Sequence, residues 1–166
     1  MKIWLCKIEN NREAYDLLSR AYNEIYAEKM PEIRRTSKGK PYFACSDVHF
    51  SLSHSGDYAA CVLSDEPVGV DIQIERNATE HLKKRILSAR ENEDFFTYWC
   101  LKESFIKLLG TLDREYAEME FVRDGEIFTS PDGVCGKVFK PEDGYTLAVC
   151  AFGPVKLDDV EIYKCY

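Results

Sequence analysis

A short alternating segment, residues 68–73, constrains the fold of this chain more than any other. Its valines and isoleucine occupy every second position, which is the period of a β-strand. Asp71 and Gln73 stand two residues apart on the opposite face, so their side chains leave the strand on the same side. The pattern predicts a strand with one apolar face and one face that offers oxygen ligands.

A second segment, residues 96–107, has the period of a helix. Trp99, Glu103 and Lys107 recur every four residues and therefore form one stripe of the helix surface. Together with the strand, this carboxylate and lysine could bind a divalent cation and a phosphate. A simpler interpretation remains open, in which Asp71 is an exposed strand residue and Glu103 and Lys107 form an ordinary ion pair along the helix.

The rest of the chain mixes strand and helix patterns, which predicts an α+β fold. Segments 56–62 and 143–150 resemble each other faintly, which weakly supports a duplicated unit. Residues 53–57 are predicted as a hairpin turn, and the basic segment before Pro41 as a loop. The expected strands are 2–8, 49–52, 58–63, 68–74, 120–123, 126–129, 134–139, 145–152 and 160–163, and the expected helices are about 10–27, 79–87 and 93–109.

Composition excludes several classes of protein. The net charge of −7 argues against general nucleic-acid binding, which needs a basic surface. No apolar run approaches the length of a membrane span or a signal-peptide core, so we expect a cytoplasmic protein that contacts no membrane. The seven cysteines include no CxxC pair, which predicts reduced thiols and neither a disulfide framework nor a zinc site.

Basic residues are nevertheless concentrated in two places. Such clusters on an acidic chain suggest a small anionic ligand and an acidic macromolecular partner, although solvated surface charge explains either cluster equally well. Ser53 and His54 fall in the predicted turn, where hydroxyl, imidazole and backbone N–H groups could bind a phosphate or simply complete a Ser/Gly turn. The two clusters comprise Arg34, Arg35, Lys38 and Lys40, and Lys83, Lys84, Arg85 and Arg90.

Four blocks of the sequence, taken in order, resemble the Sfp-type 4′-phosphopantetheinyl transferases. They are Gly39-Lys40-Pro41, residues 50–56, residues 69–72 and residues 99–107. The resemblance implies an α+β fold of two pseudo-symmetric halves, residues 1–67 and 68–166, each a small antiparallel sheet packed with helix. It implies a monomer that binds coenzyme A in the cleft between the halves.

The resemblance also implies which residues contact coenzyme A. Lys40 and Pro41 would lie along its adenine and phosphate portion. Ser53 and His54 would contact its 3′-phosphate, and Lys107 its pyrophosphate.

A metal site and a general base are implied in the same way. Asp71, Gln73 and Glu103 would bind Mg²⁺, although the family often has a glutamate where this chain has Gln73. Glu91 falls where many members have a glutamate proposed as general base. The implied catalytic set consists of Asp71, Glu91, Glu103 and Lys107.

The implied reaction transfers 4′-phosphopantetheine from coenzyme A to a serine of an apo acyl or peptidyl carrier protein and releases adenosine 3′,5′-bisphosphate. The carrier would dock on the second basic cluster, because carrier proteins are usually acidic around that serine. The N-terminal half is shorter than in typical members, and its basic residues cannot be matched to theirs. The short N-terminal half and Gln73 keep two alternatives open. One is a paralogue that binds coenzyme A or carrier without efficient transfer, and the other is a structural partner in a synthase complex.

Overall fold

The computed structural model describes residues 1–91 and 94–165. Two sheets pack face to face, and a helix covers the outer side of each. The elements are β1 Lys2–Lys7, α1 Glu13–Tyr26, β2 Ile33–Arg35, β3 Pro41–Phe43, β4 His49–Ser55, β5 Tyr58–Ser64, β6 Val68–Ile74, α2 Glu80–Ile86, α3 Phe95–Leu109, β7 Val122–Asp124, β8 Ile127–Thr129, β9 Val134–Phe139, β10 Tyr145–Phe152 and β11 Glu161–Cys165. The predicted α+β class is confirmed.

The first sheet has the strand order β11-β1-β5-β4, and the second has β6-β10-β9-β8-β7. All neighbours in these sheets are antiparallel except β1 and β11, which run parallel. Strands β1, β4 and β5 of the first sheet precede residue 68, and all strands of the second sheet follow residue 67. The exception is β11, which follows the second sheet in sequence but joins the first. The chain therefore returns to its starting sheet at the end.

Three apolar clusters form the core. One fills the space between the two sheets and includes Leu5, Val70 and Leu147, all buried. The other two lie under the helices, where Leu17 of α1 and Phe105 of α3 are buried. No helix within residues 1–91 and 94–165 is both long and apolar enough to cross a membrane.

Gly69 lets α3 pack against β6 at close range. A Cβ atom at this position would lie 1.9 Å from the carbonyl oxygen of Ser104, which is closer than any side chain permits. The close approach brings the middle of α3 over the centre of β6. It thereby places the helix stripe of Glu103 and Lys107 beside the strand that carries Asp71.

Serine side chains join the two sheets where β4 meets β6. The hydroxyls of Ser51, Ser53 and Ser55 accept hydrogen bonds from the backbone N–H groups of Val70, Ile72 and Ile74, at 2.9, 3.2 and 3.0 Å. Alternate positions of a strand share one face, so the three serines meet three alternate N–H groups of β6. We call this set of contacts the serine seam.

The two similar segments, residues 56–62 and 143–150, also lie against each other. Tyr58 and Tyr145 occupy corresponding positions of the two repeat segments, and their rings meet edge to face with centroids 4.9 Å apart. The Tyr145 hydroxyl accepts a hydrogen bond from the backbone N–H of Asp57 at 3.1 Å. The two similar segments thus contact each other directly.

Some local predictions were wrong or incomplete, and one falls partly outside the described residues. Residues 53–55 were predicted as part of a turn, but β4 continues through Ser55 because the serine seam pairs its side chains with β6. The basic loop before Pro41 contains a small hairpin, β2 and β3. Residue 93, the predicted start of the third helix, lies outside the described residues, and α3 begins at Phe95.

Candidate functional site

Asp71 lies at the centre of the candidate site. It is in β6 and is only 1% exposed, so its interpretation as an exposed strand residue is wrong. Its Oδ1 accepts hydrogen bonds from the Ser53 hydroxyl at 2.8 Å and the Lys107 ammonium at 2.7 Å. Its Oδ2 accepts one from the Gln73 side-chain amide at 3.0 Å. Both carboxylate oxygens are therefore held in fixed directions.

Lys107 forms its ion pair between elements rather than along its own helix. Its ammonium contacts Asp71 on β6 and also donates to the Ser53 hydroxyl at 2.7 Å. The interpretation of Glu103 and Lys107 as a simple helix pair is therefore wrong for this lysine. Its side chain is 30% exposed, so the ammonium can still reach an anion from solvent.

Ser53 is buried inside the serine seam, away from the hairpin tip. Its hydroxyl donates to Asp71 and accepts from Ile72 N–H and from Lys107. A hydroxyl has one proton and two lone pairs, so these contacts use its whole hydrogen-bonding capacity. Ser53 thus orients Asp71 and Lys107 in this arrangement.

Gln73 and Glu103 flank Asp71. Gln73 shares the face of Asp71, as the alternation of β6 predicts, and donates to it. Glu103 accepts a hydrogen bond from the Tyr116 hydroxyl at 2.6 Å. Burial, with a smaller contribution from the charge of Asp71, raises the pKa of Glu103. Tyr116 was missed by the sequence analysis, because it lies in a connecting segment without a recognisable motif.

The donor set fits a hard cation that also binds substrate oxygens. The charge of Asp71 contributes to the raised pKa of Glu103, and Gln73 adds an amide group beside Asp71. Within residues 1–91 and 94–165, no group of three or more histidine, cysteine, aspartate and glutamate residues could hold a metal by itself. Magnesium commonly takes one or two carboxylates and completes its coordination with phosphate oxygens and water. Two carboxylates and an amide match that requirement.

Glu91 lies in a closed ion pair instead of an open site. Its Oε2 accepts hydrogen bonds from the Lys102 ammonium at 2.5 Å and from Ser88 N–H at 2.9 Å, and its Oε1 accepts one from Phe121 N–H at 3.2 Å. The Lys102 and Glu91 side chains are 0% and 1% exposed. This arrangement favours a structural role and disfavours the predicted role of general base.

A cleft of about 390 Å³ opens between the two halves beside Lys107. Its walls come from α1, the β2–β3 hairpin, β4 and the C-terminal end of α3. Five basic residues line it, and none of the carboxylates in residues 1–91 and 94–165 does, although the chain carries a net charge of −7. An excess of positive charge in a cleft favours an anionic ligand. The five basic residues are Arg35, Lys38, Lys40, His54 and Lys107.

The basic residues of the cleft have different contacts. Lys40 donates to the carbonyl oxygen of Leu108 at 2.6 Å, and burial lowers its pKa, so it caps the C-terminus of α3. Arg35 donates to the Tyr15 hydroxyl at 3.1 Å, and Lys38 to the Thr111 hydroxyl at 3.1 Å. These partners are neutral, and no carboxylate in the described part of the chain forms an ion pair with either side chain. His54 is exposed, and both it and Pro41 line the cleft.

The second basic cluster is less positive than its sequence suggests. Lys83 pairs with Glu80 at 2.8 Å, and Arg90 pairs with Glu120 at 3.5 Å. In the part of the chain that the structure describes, no such ion pair is found for Lys84 or Arg85, and both are exposed.

Comparison with known proteins gives a consistent result. The model of the 4′-phosphopantetheinyl transferase superfamily matches residues 67–150, which include β6, α3 and β10. A 4′-phosphopantetheinyl transferase of Bacillus subtilis is 33% identical over 75% of this chain and 64% of its own length. The transferase psf-1 of Bacillus pumilus is 31% identical over 90% of this chain and 73% of its own length. A mouse L-aminoadipate-semialdehyde dehydrogenase-phosphopantetheinyl transferase is 36% identical over 54% of this chain and 38% of its own length.

The matched relatives are longer than this chain. The chain spans just under two thirds of the first relative and almost three quarters of the second. The range that the superfamily model matches contains Asp71, Gln73, Glu103 and Lys107.

Proposed function

Since the chain belongs to the 4′-phosphopantetheinyl transferase superfamily, we propose that it transfers 4′-phosphopantetheine from coenzyme A to a serine hydroxyl of an apo acyl or peptidyl carrier protein. The second product would be adenosine 3′,5′-bisphosphate. The observation that carries this proposal is the cleft lined by five basic side chains, one of which, Lys107, pairs with the buried Asp71. Coenzyme A carries several phosphate charges, so such a cleft complements it.

Coenzyme A would bind through the exposed basic side chains of the cleft. Arg35, Lys38 and His54 are exposed and can contact phosphate groups without breaking an ion pair. Lys107 would contact the pyrophosphate at the inner end. Lys40 would contribute through the shape of the cleft, because its ammonium already caps α3.

Asp71 and Glu103, with Gln73 beside them, would hold Mg²⁺ together with oxygens of the pyrophosphate. A bound Mg²⁺ would neutralise charge that develops on the leaving bisphosphate. Ser53 fixes one oxygen of Asp71, and Gln73 contacts the other. These contacts keep the carboxylate oriented before any ligand arrives.

Phosphoryl transfer requires mainly positioning and neutralisation of charge. Lys107 would neutralise the pyrophosphate, and the carrier serine must lose a proton. Glu91 is poorly placed for this proton transfer, because its carboxylate is closed within the buried pair with Lys102. It would instead have a structural role, since it accepts hydrogen bonds from the backbone N–H groups of Ser88 and Phe121.

The carrier protein would dock on α2. Lys84 and Arg85 would supply most of the attraction for an acidic partner, since Lys83 and Arg90 are paired with carboxylates. Charges at the rim of an interface act mainly on the encounter rate and its dependence on salt.

One experiment tests the reaction. The protein is incubated with coenzyme A, Mg²⁺ and an apo carrier protein, and the mass of the carrier is followed. We expect a gain of one phosphopantetheine group and release of an equal amount of adenosine 3′,5′-bisphosphate. Binding of coenzyme A without any mass gain would instead favour the binding paralogue, and absence of both would favour the structural partner.

A further inference from the structure

Three cysteines lie together on the helix-facing side of the first sheet. Cys6 is in β1, Cys61 in β5 and Cys165 in β11, and they pack in the same apolar cluster. All three are free thiols. The first two are buried and Cys165 is partly exposed. The proposed function uses none of them.

Cys6 and Cys165 are direct partners across the parallel pair of strands. Neighbouring strands lie about 4.8 Å apart, and the side chains of paired residues leave the same face. That separation falls within the Cα distances of natural disulfides, about 4.4–6.8 Å. The Cys6 thiol is already 3.4 Å from the backbone carbonyl oxygen of Cys165. Cys61 is less well placed, because its direct partner on β1 is Trp4.

Arg20 of α1 distinguishes this pair from the other thiols. Its guanidinium donates to the Cys6 sulfur at 3.3 Å, and this hydrogen bond is the main reason why the pKa of Arg20 is raised. Reactive cysteines typically have such electropositive surroundings. Burial raises the pKa of Cys165, of Cys150 to about 12, and of Cys100 well above its usual range, so Cys6, with its cationic hydrogen-bond donor, is the sulfur suited to react first.

We propose that Cys6 and Cys165 form a modification site, at which hydrogen peroxide converts the two thiols into a disulfide that fastens β11 to β1. The Cys6 sulfur attacks the peroxide, the O–O bond breaks, and Cys6 becomes a sulfenic acid with release of one water. The Cys165 sulfur then attacks this sulfenic sulfur, and the hydroxyl leaves with the thiol proton as a second water. Two thiols and one peroxide thus give one disulfide and two waters.

The bridge would connect the first strand of the fold to its last. Since it would close a loop that contains nearly the whole chain, it should restrict the unfolded ensemble strongly. In the reduced protein, β11 is held at the edge of the sheet by non-covalent contacts, which include backbone pairing with β1 and the Lys164–Glu142 ion pair. The oxidised protein should therefore resist unfolding more than the reduced one.

The test is oxidation of the folded, full-length protein with a small excess of hydrogen peroxide. Peptide mapping without reductant should show a Cys6–Cys165 cross-link, and intact mass should show the loss of two hydrogens. The urea midpoint should rise by about 1 M and return to its original value after treatment with dithiothreitol. Cys165→Ser should abolish the cross-link and the rise, whereas Cys45→Ser, at an exposed thiol, should leave both unchanged.

Arg20→Gln provides a second test, because Arg20 is exposed and its replacement should not disturb folding. This variant should form the same cross-link several-fold more slowly. A map that shows Cys6 joined to Cys61, cross-links between molecules through Cys45, or no disulfide at all would overturn the proposal. An unchanged rate in Arg20→Gln would overturn the role of the guanidinium.

Discussion

Two lysines of α3, five positions apart, each pair with a buried carboxylate, yet the two pairs have different surroundings. Lys102 and Glu91 are both almost completely buried, whereas Lys107 is 30% exposed beside a buried Asp71. Lys102 also donates to the carbonyl oxygen of Ile86 at 2.6 Å, so backbone groups complete the closed pair. Asp71 and Lys107 instead share their contacts with side chains at the edge of a cleft.

The difference shows which kind of buried charge can serve a reaction. The closed pair has its hydrogen bonds satisfied inside the protein and offers nothing to a ligand. The open pair has a lysine that can turn toward an anion and a carboxylate whose charge raises the pKa of a second carboxylate, Glu103. A pair of lysine and carboxylate therefore stabilises the fold in one place and suits ligand binding in the other.

Glu91→Gln should have the largest effect and should act on stability. All three groups that contact this carboxylate are donors, so the new amide would face a donor and the Lys102 charge would lose its buried partner. We expect the free energy of unfolding to fall by about 3–5 kcal/mol, measured by urea denaturation. The double variant Glu91→Leu with Lys102→Met removes both charges and should recover much of the loss. A loss below about 1 kcal/mol in Glu91→Gln would mean that the closed pair is not structural.

Asp71→Asn should act mainly on transfer. It removes the anionic charge that Lys107 and the proposed Mg²⁺ share, so we expect kcat/KM to fall at least a hundredfold, about 2.7 kcal/mol. Unfolding should change much less than in Glu91→Gln, since Lys107 can turn to solvent. Asp65→Asn, at an exposed carboxylate that pairs with Lys156, is the matched control and should retain activity. If Asp71→Asn destabilised the protein as much as Glu91→Gln, the distinction between the pairs would fail.

Gln73→Glu should sharpen the comparison by adding charge to the open site. The new carboxylate would lie beside Asp71, where the amide now donates a hydrogen bond, so without a cation the two charges repel. A divalent cation would relieve this repulsion. We expect the Mg²⁺ concentration for half-maximal transfer to fall about tenfold, which corresponds to about 1.4 kcal/mol. Superimposable Mg²⁺ titrations of the variant and the parent protein would exclude residue 73 from the metal site.

Glu103→Gln should give the smallest change in stability. Because burial raises the pKa of Glu103, its charged form is penalised in the folded state. This penalty is absent below the unfolded-state pKa and develops as the pH rises from that value to the raised pKa of the folded state. At pH 7 the variant should therefore be more stable than the parent by less than about 1 kcal/mol, and the difference should vanish below about pH 4. A variant that is less stable at pH 7 would show that the hydrogen bond from Tyr116 outweighs the cost of burial.

The elements of the site could be predicted from the sequence, but several of its contacts could not. Strand alternation correctly placed Asp71 and Gln73 on one face, and helix spacing placed Glu103 and Lys107 on one stripe. The pairing of Lys107 with Asp71 depends on how closely α3 approaches β6, which Gly69 permits. That approach is a property of packing between elements, and no local period encodes it.

The serines of β4 illustrate the same limit. Ser-His-Ser-Gly is typical of a turn, and only the proximity of β6 turns Ser53 into a buried contact of Asp71. Lys40 resembles a phosphate ligand in sequence, but its ammonium reaches the end of α3 instead. Burial and long-range partners decided both roles.

The serine seam also protects the protein from aggregation. β6 is one of the two edge strands of its sheet and has an apolar sequence. If the N–H groups along its outer edge were unpaired, they could form hydrogen bonds with a strand of another molecule. Three hydroxyls of β4 occupy alternate N–H groups of that edge. Side-chain hydrogen bonds thus occupy N–H groups of β6 that a strand of another molecule could otherwise use. These groups are then not available for the intermolecular strand pairing that leads to fibrils.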